Sequence, residues 1–144
     1  MAEGVVSGVK VAKDLPVTSQ TDYFEWIANP ICTTFQKPQS AGGFLVSHHK
    51  ACKFDQAETH VDDEVFFFVS GVGLMLFVDY VDGQPNLSTA QIVRIQPGTI
   101  LTVEKGKGHY VCIAEGDEPV CAVVCAPPME APSVKLSEIV EGIE

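Results

Sequence analysis

The stretch Ala57–Gly71, AETHVDDEVFFFVSG, sets Glu58, His60, Asp62, Asp63 and Glu64 directly against Phe66, Phe67 and Phe68. In an extended strand residues two apart share a face. Glu58, His60, Asp62, Glu64, Phe66 and Phe68 therefore point the same way if one strand runs through them all. Phenylalanines at that spacing belong to an interior, so the acids and His60 are expected to face it too. Ionised groups facing an interior are costly unless paired or bound to a cation. Glu58 and Glu64 together would repel, and one would be driven toward protonation; a divalent ion removes that repulsion. A bend near Val61–Asp63 would break the parity, and a solvated turn is the plain reading of Asp62 and Asp63.

A neutral donor from elsewhere would complete such a site. The segment PGTILTVEKGKGHYVCI, residues 97–113, supplies one, because Gly106 and Gly108 turn the chain into His109. Lys105 and Lys107 flank that turn and read as exposed lysines.

Composition bounds the rest. A chain of 144 residues with 46% hydrophobic content can bury a full core as one domain. Its formal charge of -10, from 9 basic and 19 acidic residues, repels phosphate, so no nucleic acid and no anionic membrane partner is expected. The opening MAEGVVSGVKVAK has no basic and apolar leader pattern, and no apolar run reaches the length of a membrane span. The five cysteines, an odd count without zinc-type spacing, read as buried free thiols in a reducing cytoplasm.

Turn signals recur at Asn29-Pro30, Lys37-Pro38, Gly42-Gly43, Ser70-Gly71, Asp82-Gly83, Gln96-Pro97-Gly98 and Gly116-Asp117. Short runs rich in Val, Ile, Phe and Thr lie between them, which predicts strands at 43–49, 64–69, 73–79, 90–95, 99–104, 109–114 and 119–125. Two short helices are predicted: one where Asp22 and Glu25 form a capping box before Trp26, and one over 133–140 with Leu136, Ile139 and Val140 at helical spacing. The organisation expected is an N-terminal segment 1–42, a β-rich core 43–126 and a C-terminal tail or helix 127–144. VFFFV and LMLFV are apolar on both faces, so a second sheet or a second copy must cover them; a homodimer is the expectation. In GGFLVSHHKACKF the even positions Phe44 and Val46 are taken as inward, which brings His48 inward as a candidate proton carrier. Cys121 and Cys125, on one face with Val123, read as core, and Cys112 alternates away from His109.

The two segments resemble the paired motifs of the cupins, small jelly-roll β-barrels that hold a metal. The first motif is His-x-His, then Glu, then Gly; Glu58-Thr59-His60, Glu64 and Gly71 keep its spacing, with Glu58 in place of the first His. The second is Gly, then Pro-x-Gly-x-x-His; Gly98, Glu104, Gly106 and His109 fall in step, with Glu104 in place of the Pro and Ile113 where an Asn is common. The resemblance covers residues 43–125. It implies an all-β cupin double-stranded β-helix with short peripheral helices, and one divalent transition metal per chain (Fe, Mn, Ni or Zn) on Glu58, His60, Glu64 and His109. Phe66, Phe68 and Val111 are expected to line its pocket.

A narrower likeness is to the ureidoglycolate lyases. It rests on Pro85, Leu87, Ser88 and Thr89 ahead of His109, with Glu58 and His60 before the Phe-bearing strand. The expected function is non-redox lyase or isomerase chemistry on a small polar, carboxylate-bearing metabolite. An Fe(II) dioxygenase and a non-catalytic binding cupin are the alternatives, the last favoured by Glu58 standing where relatives carry His.

Overall fold

The computed structural model describes residues 6–29, 31–130 and 132–142. Among them are thirteen strands and no helix. Five strands form one antiparallel sheet: β1 (Val9–Ala12), β4 (Ala41–Ser47), β6 (Glu64–Ser70), β9 (Ile100–Val103) and β12 (Val120–Ala126), in the order β1-β9-β6-β12-β4. The second sheet is built on β7 (Gly73–Val81). It pairs with β8 (Gln84–Ile95) and with the short strands β10 (Gly108–His109) and β11 (Ile113–Ala114). β5 (Lys53–Ala57) pairs with β13 (Val134–Glu141), and β2 (Ser19–Gln20) pairs with β3 (Glu25–Trp26) alone.

The two larger sheets face each other. Phe66 and Phe68 of β6, Leu101 and Val103 of β9 and Ala122 of β12 meet Met75 and Phe77 of β7 and Ile95 of β8 in one buried cluster. The alternate side chains of β7, Leu76 and Val78, enter a second cluster with Phe54 and Ala57 of β5 and Leu136 of β13. LMLFV is therefore apolar on both faces because the chain covers both itself. The fold is an all-β jelly-roll barrel. The β7-to-β8 hairpin turns on Asp82 and Gly83 at φ 51° and 76°, the two-residue connection for which Asp-Gly is suited.

Several expectations need correction. Neither predicted helix forms. Thr21 N–H donates to the Phe24 carbonyl at 2.9 Å, closing a hairpin where a capped helix was expected. At 133–140 the pairing of β13 with β5 shifts register between Lys135 and Val140. That irregularity puts Leu136 and Val140, four apart, against one cluster and so imitates helical spacing.

The parity of β4 is the reverse of that predicted. Leu45 lies opposite Ala122 and packs on the core, whereas Phe44 and Val46 are exposed. β4 ends its sheet and is apolar on both sides, so alternation could not choose its inner face. His48 is exposed as a consequence. Cys121 and Cys125 lie opposite Val46 and Gly42 on the outer face and are only partly buried; Cys112 is the one fully buried thiol.

Candidate metal centre

The barrel wall brings the two sequence segments together through the backbone. Glu58 and His109 form a reciprocal antiparallel pair: Glu58 N–H donates to the His109 carbonyl at 2.8 Å, and His109 N–H to the Glu58 carbonyl at 3.0 Å. Directly opposed residues share a face, so both side chains enter the same space. Gly108 is required here because a Cβ would meet the Tyr80 ring at 2.5 Å and the Val78 carbonyl at 2.6 Å.

The strand through Glu58, His60 and Glu64 does not run on: β5 ends at Ala57 and β6 begins at Glu64. The intervening turn nevertheless returns His60 to the cluster. Glu58, His60 and His109 offer ligand atoms within 4.8 Å of one another. Glu64 Oε2 lies 3.0 Å from His109 Nε2 and 3.3 Å from His60 Nε2, while Glu58 Oε1 stands 4.0 and 3.9 Å from the same two nitrogens. The imidazole centroids are 5.0 Å apart, and the Phe66 ring meets His109 edge-on at 6.3 Å. Phe68 stacks behind Phe66 at 6.0 Å. Val111 is 43% exposed and has no contact with this cluster.

Asp62 is neither a solvated turn residue nor a member of the cluster. It is 3% exposed, and its carboxylate accepts from the backbone N–H groups of Gln36 at 2.8 Å, Lys37 at 3.4 Å and Asp63 at 3.0 Å. Asp63 Oδ1 accepts from Lys105 N–H at 2.9 Å, and Gly106 N–H donates to the His60 carbonyl at 2.9 Å. The turn carrying His60 is thus fastened on both sides. Lys107 is buried, not exposed, with its Nζ 2.6 Å from Asp79 Oδ1. It is two residues from His109, a spacing that sequence alternation could have used to find it.

Charge and burial oppose each other here. Burial alone would raise the Glu64 carboxyl, but the His109 hydrogen bond and the close approach and charges of both imidazoles outweigh it and hold the group at about 2. The Glu64 carboxylate raises His60 above its ordinary value against the effect of burial. Burial pushes Glu58 up, partly offset by the two imidazoles.

The donor set fits a cation. His60 is 9% exposed, and both its ring nitrogens are buried without a hydrogen-bond partner; the 3.3 Å approach to Glu64 lacks hydrogen-bonding geometry. Leaving such groups unmet is costly, and a metal ligand needs no hydrogen bond at the ligating nitrogen. His109 Nδ1 sits 3.1 Å from the Lys107 carbonyl. Donating there fixes the tautomer whose Nε2 can ligate in place of its contact with Glu64. Two carboxylates balance a divalent charge, and the mixed oxygen and nitrogen donors suit a borderline-hard ion.

These shifts give the metal-free protein a defined pH response. Glu64, depressed from 4.5, contributes stability that is lost as pH falls from 4.5 toward 2. His60, raised from 6.5, contributes stability that is lost as pH rises through its folded value; Glu58, raised from 4.5, acts in the same direction. Melting temperature in chelator should therefore peak between the unfolded values of 4.5 and 6.5 and fall on either side. A saturating divalent ion should abolish the alkaline fall. A chelated protein with a flat profile from acid to alkaline pH would contradict this assignment.

No protein-family model matches the sequence, and no curated protein matches it. Among solved structures, the chain is similar to Bacillus subtilis oxalate decarboxylase in a study of its Mn(II) centres, with 23% identity and a TM-score of 0.48. That match covers 67% of this chain and 24% of the other. The same enzyme at pH 4.6 gives 23% identity and a TM-score of 0.48 over 67% of this chain and 23% of the other. The chain spans about a quarter of the length of the solved chains that it matches. This likeness assigns no residue, metal or substrate to the protein.

Proposed function

We propose that the protein is a metal-dependent cupin enzyme of the lyase or isomerase type, acting on a small carboxylate-bearing metabolite. One observation carries the reading: a buried His60 with no hydrogen-bond partner on either ring nitrogen, ringed by Glu58, Glu64 and His109. When bound, a divalent ion supplies a Lewis acid for a carbonyl, hydroxyl or carboxylate oxygen. The protein's own residues do the remaining work. The Glu58 and Glu64 side chains, 18% and 16% exposed, are the least buried members of the cluster. The Lys107 carbonyl orients His109, and Phe66 and Phe68 close the inner wall without polar atoms.

Ureidoglycolate is the first substrate to test. Its cleavage breaks one C–N bond and moves the hydroxyl proton to the departing urea nitrogen, leaving glyoxylate, with no change of oxidation state. Purified protein loaded with Mn(II), Fe(II), Ni(II) or Zn(II) should release glyoxylate, with and without oxygen, and chelation should stop it. Turnover that consumes oxygen would move the chain to the dioxygenase reading.

The non-catalytic binding reading draws on a specific observation. His48, the proton carrier expected from sequence, is exposed, so proton transfer would fall to Glu58 or Glu64. Stoichiometric metal with ligand binding, but no turnover of ureidoglycolate or other small 2-hydroxy acids, would favour that reading.

A further inference from the structure

The outer face of the five-stranded sheet carries a row of side chains in direct cross-strand register. Phe44 of β4 lies opposite Val123 of β12, Val123 opposite Phe67 of β6, Phe67 opposite Ile100 of β9, and Ile100 opposite Ala12 of β1. Val46, opposite Cys121, and Val69, two residues from Phe67, extend the same face. None of these residues is charged. The neighbouring row, Cys125, Val65 and Thr102, is partly closed over within the chain: Thr102 is fully buried, and Ser40 Oγ lies 3.5 Å from Cys125 Sγ. The part containing Phe44, Val46, Phe67, Val69 and Val123 is left open, with Phe44 75% exposed.

A second open apolar surface belongs to the same chain. The β2–β3 hairpin pairs with no other strand. Glu25 lies opposite Gln20 and Trp26 opposite Ser19. Alternation therefore separates the polar Glu25 and Gln20 from Trp26 and, two residues before it, Phe24. Trp26 is 62% exposed, and Val17, Tyr23, Phe24 and Ile27 are also exposed. At roughly 150–250 Å² for a fully exposed aromatic side chain, hairpin and sheet face together present on the order of 1,000 Å² of apolar surface. A stable protein interface takes about 800 Å² per partner, an area that the two surfaces reach together and neither reaches alone.

We propose that two copies associate with two-fold symmetry, the Phe24/Trp26 face of each hairpin lying on the Phe44–Val123–Phe67 row of the other. Symmetry makes every such contact occur twice, so one hairpin and one sheet face per chain suffice to close the dimer. Charge favours the same choice. Copies carrying -10 each repel over most of their surface, and this uncharged face is where approach costs least. An acidic or basic partner would find no complementary charge on the row.

Trp26 is the sole tryptophan, so its emission reports this contact directly. Sedimentation at tens of micromolar should give a dimer whose emission is blue of exposed indole and moves red on dilution. Phe44→Asp on the sheet and Trp26→Ala on the hairpin should each raise the dimer dissociation constant about 100-fold or more, because an aromatic anchor is lost at two symmetric places. Trp26 stands outside the barrel core, so its variant remains informative even where Phe44→Asp fails to fold. A monomer at tens of micromolar, a dimer insensitive to Trp26→Ala, or a dimer whose Trp26 stays as quenchable by acrylamide as free indole would each overturn the proposal.

Discussion

His60→Ala is expected to weaken divalent-ion binding at the candidate site more than any other single change. His60 is the ligand held least by anything else: its ring nitrogens have no hydrogen-bond partner, while the His109 ring is braced by the Lys107 carbonyl. Removing it leaves Glu58 and His109 as the rest of the three-residue set, and Glu64 loses one of the two imidazoles that keep it ionised. Divalent affinity should fall by roughly a hundredfold or more, since the loss of even a supporting group beyond the ligands costs about 10–100-fold. A site filled at about 1,000 times its dissociation constant stabilises the fold by about 4 kcal/mol. Stripping that metal from the wild-type protein should therefore lower the melting temperature by roughly 10 °C. A site weakened about a hundredfold keeps only about 1.4 kcal/mol of that at the same metal concentration, so the metal-dependent rise in melting temperature of His60→Ala should shrink to about a third. Elemental analysis and melting curves, each with and without chelator, read both effects. A wild-type metal-dependent melting shift in the variant would remove His60 from the site.

The second large effect is expected at a residue that touches no metal. Asp62→Ala removes the acceptor for three backbone N–H groups, those of Gln36, Lys37 and Asp63. A buried donor left without a partner costs about 1–3 kcal/mol, and the carboxylate is 3% exposed. The longer contact, to Lys37 at 3.4 Å, is worth least. A loss of roughly 3 kcal/mol follows, read as a fall of about 10 °C in melting temperature. Divalent affinity should drop about 10–100-fold as well, because the turn that aims His60 is released. The comparison is Asp63→Ala, which removes a single bond to Lys105 N–H and should cost less on both measures. Wild-type melting and wild-type affinity in Asp62→Ala would show that the turn holds His60 without it.

The sequence was most legible where residue type and spacing served one purpose. The runs at 64–69, 73–79 and 119–125 became β6, β7 and β12 within two residues, because β-branched and aromatic residues between turn signals leave few other solutions. Glu58, His60, Glu64 and His109 converge although the strand predicted to align them is broken. The turn at 59–63 restores the facing that a continuous strand would have given.

Legibility failed where pattern was ambiguous or long-range pairing decided. β4 is apolar on both sides, so nothing in its sequence could say that Leu45 and not Phe44 faces the core. β13 imitated a helix because its pairing with β5 shifts register. β1 and β5 are short and carry lysines and an aspartate, and they are strands because β9 and β13 pair with them. Asp62 and Lys107 looked like surface charges, and only the fold supplies the backbone donors and the Asp79 carboxylate that allow their burial.

The reciprocal Glu58–His109 pair has a consequence for how such a centre can change. Its two hydrogen bonds belong to the backbone, so the seam that joins β5 to β10 is indifferent to which side chain stands at position 58. Glu58 is the least buried of the four at 18% exposed, and an imidazole would replace a chain of similar reach there. Glu58→His would exchange a hard oxygen donor for a softer nitrogen and remove one negative charge while leaving the barrel as it is. In the proposed site, metal preference would thus be separable from folding: a single codon would retune the chemistry of the ion without asking the protein to fold differently.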